Sequence, residues 1–201
     1  MAIISLMASI MMPSLTRARE LARRTKCGSN MREIYHCFMF YWMDYDEYFP
    51  HYLDPNERAP MNEWNWKMAE YVVYDVDTEP SVNDFIGNYR KGIFSCPSSQ
   101  RSTDLGYGMN VNLKFKTLAQ FGRKETETVL IGEPMGTDDG ETAEVALAEA
   151  DSPGYPGVSS LVDMNRHGHG AQYIFLDGHL IWSPSPVSLI YRSKKGSALQ
   201  R

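Results

Sequence analysis

The first fifteen residues, MAIISLMASIMMPSL, hold no charge, and a basic cluster of Arg17, Arg19, Arg23, Arg24 and Lys26 follows them. This feature limits the chain more than any other, because an apolar segment of that length has to be covered by something equally apolar. As a helix rising 1.5 Å per residue it is roughly 22 Å long, short of the roughly 30 Å hydrocarbon core of a bilayer. A secretory signal peptide runs in another order, basic first, apolar second and a small-residue cleavage site third. Ordinary signal-peptidase processing is therefore disfavoured. The charge is also unevenly placed. Residues 1–27 carry five Lys/Arg against one Glu, which is +4, and the rest of a chain with net charge −5 carries −9. Such asymmetry points to membrane or polyanion contact at one end only, and the acidic remainder argues against a general nucleic-acid binder.

From Ser14 to about Tyr48 there is no Pro, and the only Gly is Gly28. Apolar residues recur at Met31, Ile34, Phe38, Tyr41/Trp42, Tyr45 and Tyr48/Phe49, the three-to-four spacing of one helical face. The simplest account is one long helix, apolar all round at its start and amphipathic afterwards, with Phe49-Pro50 as its stop. Its second half is expected along a globular domain. The first half carries Ile3, Ile4, Leu6, Met7, Ile10, Met11, Pro13 and Leu15 and is expected in lipid or in a bundle of identical helices. Pro13 costs an isolated soluble helix about 3 kcal/mol but is tolerated inside spanning helices. Ser5, Ala8 and Ser9 let such helices approach closely.

Residues 50–95 are rich in aromatics, among them Trp64, Trp66, Tyr71, Tyr74 and Tyr89, which point to core packing before a carbohydrate or peptide surface. Glu63–Tyr74 reads as a short helix between loops marked by Pro55, Pro60 and Pro80. Three cysteines cannot make a disulfide scaffold, and neither a CxxC nor an HExxH pattern occurs. Thr126–Gly132 has the β-branched, apolar look of a buried strand. Asp138, Asp139, Glu141, Glu144, Glu149 and Asp151 form an acidic stretch, where oxygen ligands suit Ca²⁺. Without the D-x-D-x-D-G spacing, a solvated loop is the expectation.

The stretch from Asn165 to Trp182 predicts a hairpin: strand Tyr173–Leu176, turn Asp177-Gly178, strand His179–Trp182, with His167 and His169 at its mouth. His167, His169 and His179, with Asp177, are ligand types suited to Zn²⁺ or another transition metal. A metal-assisted hydrolase would add a general base such as Asp163 or Glu133. The expectation favoured here is structural: His167 and Asp177 hydrogen-bond each other or nearby backbone and fix the hairpin.

The run AIISLMASIMMPSLTRARELARRTKCGSNMREI resembles the N-terminus of type IV pilin-like proteins, pseudopilins of type II secretion included. More narrowly, the chain resembles the large pilin-like family abundant in planctomycetes and their relatives. Cys27, Asn30 and Met31 match its Cys-x-x-Asn-Leu element, and YWMDYDEYFP its aromatic-acidic stretch ending Phe-Pro. Phe94-Ser95-Cys96-Pro97-Ser98 precedes Tyr107-Gly108-Met109-Asn110 as the family's Cys-Pro-Ser element precedes Tyr-Gly-x-Asn. His167 followed by Asp177-Gly178 is the H-x9-DG signature, completed by His179, with Gln172 where Asn is usual. The basic leader, the Gly-Phe-type processing site and the Glu after it have no match, and the position of Pro13 implies that roughly nine residues of the span are missing.

The resemblance implies an α+β fold in which a long N-terminal helix packs on an antiparallel sheet. Residues 1–26 would be a truncated membrane or filament helix, 27–190 the globular domain and 191–201 a frayed tail. It implies a non-enzymatic subunit of a type IV pilus-like or type II secretion-like filament. Its partners would be related subunits and the inner membrane, with the domain outside the cytoplasm, although the positive-inside rule alone would place Arg17–Lys26 inside. In that compartment Cys96 would pair with Cys27 or Cys37, and some similar pseudopilins bind Ca²⁺. The alternative is a membrane-anchored, extracytoplasmic metal-binding protein or hydrolase built on His167, His169, Asp177 and His179.

Overall fold

The computed structural model describes residues 2–50, 64–72, 92–99, 106–113, 116–134, 146–147, 162–187 and 189. The uninterrupted stretch without helix breakers becomes one helix, α1 (Ala2–Asp44), of 43 residues, about 64 Å long at 1.5 Å per residue. Pro13 lies inside it, and just beyond, Ser14 Oγ and Thr16 Oγ1 donate back to the carbonyls of Met11 and Met12 at 2.8 and 3.0 Å. Every residue from Met11 to Arg19 is exposed. Among the described side chains, Glu20 is the first partly buried one, meeting Ser98 and His167, and beyond it one face is buried: Cys27, Asn30, Met31, Ile34, Cys37, Phe38, Tyr41 and Trp42. That is the predicted three-to-four spacing.

The helix stops at Asp44 and does not run to Phe49-Pro50. Asp46 and Glu47 take φ of 48° and 62°, and the Glu47 N–H donates to the Trp42 carbonyl at 2.9 Å. This is a left-handed helix ending made without glycine. Tyr48 then bridges to Thr117. Tyr45 and Tyr48 consequently leave the buried face and are about half exposed, whereas Phe49 is buried.

Five strands form one sheet in the order β3-β1-β2-β4-β5: β1 (Gly108–Asn110), β2 (Val129–Gly132), β3 (Ala146–Leu147), β4 (Ala171–Phe175) and β5 (Leu180–Ser183). β1, β2, β4 and β5 are antiparallel, as expected of the fold class. The two-residue β3 adds to the edge in parallel with β1, inside the stretch expected to be a loop. β2 starts at Val129 and not at Thr126, because Gly122–Glu127 winds as a 3₁₀ helix. The hairpin forms with Ile174 opposite Leu180, and its Asp177-Gly178 turn closes through the Gly178 N–H on the Phe175 carbonyl at 2.9 Å. The acidic residues Asp138, Asp139, Glu141, Glu144, Glu149 and Asp151 and the tail 191–201 lie outside the described residues.

Alternation along β4 gives the sheet two apolar faces. Ile174 packs under α1, while Ala171, Tyr173 and Phe175 join Val129 and Leu189 on the far side. A bulge between Val129 and Ile131 shifts the β2–β4 register. The short helix α2 (Trp64–Ala69), shorter than the expected Glu63–Tyr74, sets Trp64 in a stack on Phe38 at 5.7 Å and edge-on to Phe94 at 6.1 Å. Trp64 thus goes to the core, as the packing expectation held. α1 crosses the sheet at Gly28, the helix's only glycine. A Cβ there would lie 2.8 Å from Leu180 Cδ2 and 3.2 Å from Gln172 Nε2. Arg24, one turn earlier, lies 4.3 Å over the Trp182 ring of β5.

The close crossing at Gly28 makes a graded prediction. Gly28→Ala should leave unfolding free energy within about 1 kcal/mol of the parent, because its helix-propensity gain offsets a small shift of the Leu180 tip. Gly28→Leu should lower it by roughly 1–3 kcal/mol through overpacking. Urea unfolding of the two variants separates these outcomes.

Candidate metal centre

Four elements each deliver one side chain to a single buried point: Cys27 from α1, Cys96 from the turn after the 3₁₀ helix Gly92–Phe94, Glu133 from the end of β2, and His167 from the loop before β4. Their ligand-type atoms all lie within 4.8 Å of one another. The local sequence explains the delivery. Cys27 and Asn30 stand one helical turn apart on the same face, and Asn30 Nδ2 donates to the Ser95 carbonyl at 3.0 Å, drawing the Cys96 turn onto the helix. The Gly106 N–H donates to the Phe94 carbonyl at 2.9 Å. A Cβ on Gly106 would sit 2.2 Å from the Cys96 nitrogen, so only glycine permits this approach. Asn110 holds β1 in place by donating to the carbonyls of Val129 and Leu189, both at 2.8 Å.

Arg166, the neighbour of His167, is almost fully buried and ties three segments together. Its guanidinium donates to the Gly106 carbonyl at 2.8 Å, to the Pro134 carbonyl at 3.0 Å and to Asp163 at 3.2 Å. The His167 carbonyl accepts from Trp182 Nε1 at 3.2 Å. The backbone that carries the imidazole is therefore held by Arg166 on one side and by Trp182 of β5 on the other.

Within the cluster, Cys27 Sγ lies 2.7 Å from Cys96 Sγ, 2.9 Å from the Tyr107 hydroxyl and 3.0 Å from Glu133 Oε1. His167 Nε2 lies 2.7 Å from Glu133 Oε1 and 3.5 Å from Cys96 Sγ. Cys96 Sγ is 3.7 Å from Glu133 Oε1. The other oxygen of Glu133 accepts the Gln172 N–H at 2.9 Å, and His167 Nδ1 faces Glu20 Oε1 at 3.2 Å. Ser98 Oγ donates to the same Glu20 oxygen at 3.2 Å.

The electrostatics follow from these contacts. Burial pushes the Cys27 thiol strongly upward, with the Cys96 hydrogen bond and the Glu133 charge adding to it. Cys96 is drawn down to about 6, first by the hydrogen bond from Cys27 and also by His167, against its own desolvation. Desolvation works against charge on His167, but hydrogen bonds to Cys96 and Glu133 overcome it and raise the imidazole to about 10. Tyr107, raised chiefly by burial, keeps its proton. Cys96 is thus the thiolate of the pair, facing a protonated His167. This group of two sulfurs, a carboxylate and an imidazole can hold a metal ion.

The geometry departs from the histidine set read in the sequence. His169 is exposed with φ of 66°. His179 pairs with Asp177 at the exposed hairpin tip, Nδ1 to Oδ1 at 2.5 Å, and stacks on Phe175 at 4.2 Å. Neither joins His167, and His167 does not bond Asp177. The reason is the spacing itself: His167 precedes β4 and Asp177 follows it, so the five-residue strand separates them by about 17 Å. Asp177 instead fixes the turn alone, accepting the His179 N–H at 3.1 Å. All three cysteines carry free thiols. Of the two partners weighed for Cys96, Cys27 is in contact. Cys37 lines a separate pocket with Phe40, Val72 and Ile93, and burial pushes its thiol up to about 11. Glu133, weighed as a general base, is instead a member of the cluster, and Asp163 is Arg166's partner. Glu20 carried no sequence signal.

Breaking the buried His167–Glu133 pair should be far more costly than breaking the exposed one. Glu133→Ala leaves an imidazole and the Gln172 N–H without their acceptor and should destabilise by about 3–5 kcal/mol. Asp177→Ala should cost under about 1 kcal/mol. Denaturant midpoints of the two variants give the comparison. Set against known proteins, the chain matches no family model, no curated protein and no solved structure, so the chemistry of this centre rests on its own atoms.

Proposed function

We propose that the protein is a non-enzymatic structural subunit, a pilin-like or pseudopilin-type protein that assembles through the first half of α1 into a type IV pilus-like or type II secretion-like filament. The observation that carries this reading is the exposure of Ile4, Met7, Ile10, Met11, Met12 and Leu15, between 51% and 71%, on a helix whose described side chains first meet the domain at Glu20. At 1.5–3 kcal/mol for a fully buried side chain, covering these six is worth on the order of 10 kcal/mol per subunit. No helix among the described residues is long and apolar enough to cross a membrane. In this reading inner-membrane lipid covers the helix before assembly and neighbouring copies of it afterwards, with the globular domain outside the cytoplasm. Pro13 fits such a bundle, where neighbours compensate the interrupted backbone bond.

The buried cluster supports a structural subunit over the alternative hydrolase. A catalytic metal keeps a position open for water or substrate, whereas Cys27, Cys96, Glu133 and His167 are all at most 2% exposed. Of the two cations considered from sequence, the sulfur donors favour Zn²⁺ over Ca²⁺, which takes oxygen ligands.

The test compares the full chain with a Met7→Asp/Ile10→Asp/Leu15→Asp variant by membrane fractionation and gel filtration. The parent should fractionate with membranes and need detergent, or run as a large assembly. The variant should be a monodisperse monomer with the same thermal unfolding profile. A parent chain that is monodisperse and monomeric without detergent overturns the reading.

A further inference from the structure

We propose that Cys27, Cys96, Glu133 and His167 form a closed structural site for one Zn²⁺ ion that fastens α1 to the sheet. The inference rests on the cluster alone and is independent of how the chain assembles.

The donor set is the first support. Two sulfurs, one imidazole and one carboxylate make four ligands of the types that bind zinc tetrahedrally, and they come from four separate elements. Such a set suits a soft or borderline transition metal and not Mg²⁺ or Ca²⁺. Full burial makes it a structural site, since no face is left for a substrate.

The second support is the outer ring of contacts. A zinc-bound histidine donates its remaining ring N–H to a carboxylate or carbonyl, which fixes its tautomer and aim. His167 meets that requirement: with Nε2 inside the cluster, Nδ1 faces Glu20 Oε1 at 3.2 Å. The Glu133 carboxylate is held by the Gln172 N–H on Oε2, leaving Oε1 for the ion. The Tyr107 hydroxyl lies 2.9 Å from Cys27 Sγ. These partners orient ligands, and a simple disulfide between Cys27 and Cys96 would give the convergence of Glu133 and His167 on the sulfurs no task.

Size and charge can both be checked. Zinc–sulfur distances near 2.3 Å and zinc–nitrogen or oxygen distances near 2.1 Å put tetrahedral ligand atoms roughly 3.4–3.8 Å apart. Cys96 lies at 3.5 Å from His167 and 3.7 Å from Glu133, already in that range. The Cys27–Cys96 and Glu133–His167 edges, both 2.7 Å, and the Cys27–Glu133 edge, 3.0 Å, must open by roughly 0.6–1.1 Å. Two thiolates, a carboxylate and Zn²⁺ sum to one negative charge, and the Arg166 guanidinium, which also pairs with Asp163, interacts favourably with Glu133 and Cys96. Binding requires both sulfurs as thiolates and the imidazole neutral, so uptake of the ion releases protons.

The experiment uses the full chain purified without chelator or reductant. Zinc is measured by plasma mass spectrometry, and reactive thiols are counted in denaturant before and after a chelator is added. About one zinc per chain is expected, with Cys27 and Cys96 present as thiols, and Co²⁺ in its place should give the sulfur-to-cobalt charge-transfer band of a tetrahedral thiolate site. Cys37→Ser should keep the zinc, and Cys96→Ser should lose it. Because Cys96→Ser can also unfold the chain, Glu20→Ala gives the milder check: the fold should stay and zinc affinity should fall 10–100-fold. A folded chain that carries no zinc and takes none up, or a Cys27–Cys96 disulfide found by peptide mapping, overturns the proposal.

Discussion

The contact between α1 and the sheet at Cys27 and Gly28 sets the position of nearly everything else. Gly28 lets the helix backbone descend onto Leu180 and Gln172. That descent places Cys27 against Cys96 and Glu133, and Asn30 against the Ser95 carbonyl. Had the helix stood one side chain further off, the Ser95–Cys96 turn would lose its anchor. His167 would then face a cavity with no sulfur in it. The apolar part of the core, from Met31 to Trp42, continues along the same face of the helix.

A polar cluster in the middle of such a seam is expensive unless its members satisfy one another. Here the expense is offset locally. Glu133 uses both oxygens, His167 both ring nitrogens, and Arg166 reaches two carbonyls and a carboxylate. By contrast the His179–Asp177 pair at the hairpin tip is exposed. Buried polar groups of this kind specify one arrangement more than they add stability, because a shifted register would strand a charge in an apolar core.

Much of the architecture was legible along the chain, and the limit of legibility has a physical cause. Period 3.6 marked the face from Met31 to Trp42, and β-branched residues marked β2. Asp177-Gly178 marked the turn of β4 and β5, because each of these is a local property of neighbours in sequence. The helix end was misplaced by local rules: Phe49-Pro50 looks like a stop, but the chain turns at Asp46 and Glu47, where no glycine advertises a left-handed backbone. The cluster was not legible as a unit. Its members lie on four elements with up to 140 residues between them, and only tertiary packing brings them together. Cys27, Cys96, Glu133 and His167 each drew notice singly. The histidines near His167 in sequence proved misleading, since a strand carries its two ends apart.

One further property comes from α1 being continuous through Gly28 and Pro13. The exposed half and the docked half belong to one helix, so a pull on the projecting end is delivered to the domain through α1 itself, past Pro13, which gives up one backbone hydrogen bond. That pull runs along the helix axis, and the domain resists it in shear at Arg24 on Trp182, Cys27 on its cluster, and Asn30 on the Ser95 carbonyl. These anchors begin within two turns of Glu20, where the described side chains first meet the domain. The first part of the domain to feel tension is therefore the part with the densest polar bonding, and the apolar core behind it is loaded last.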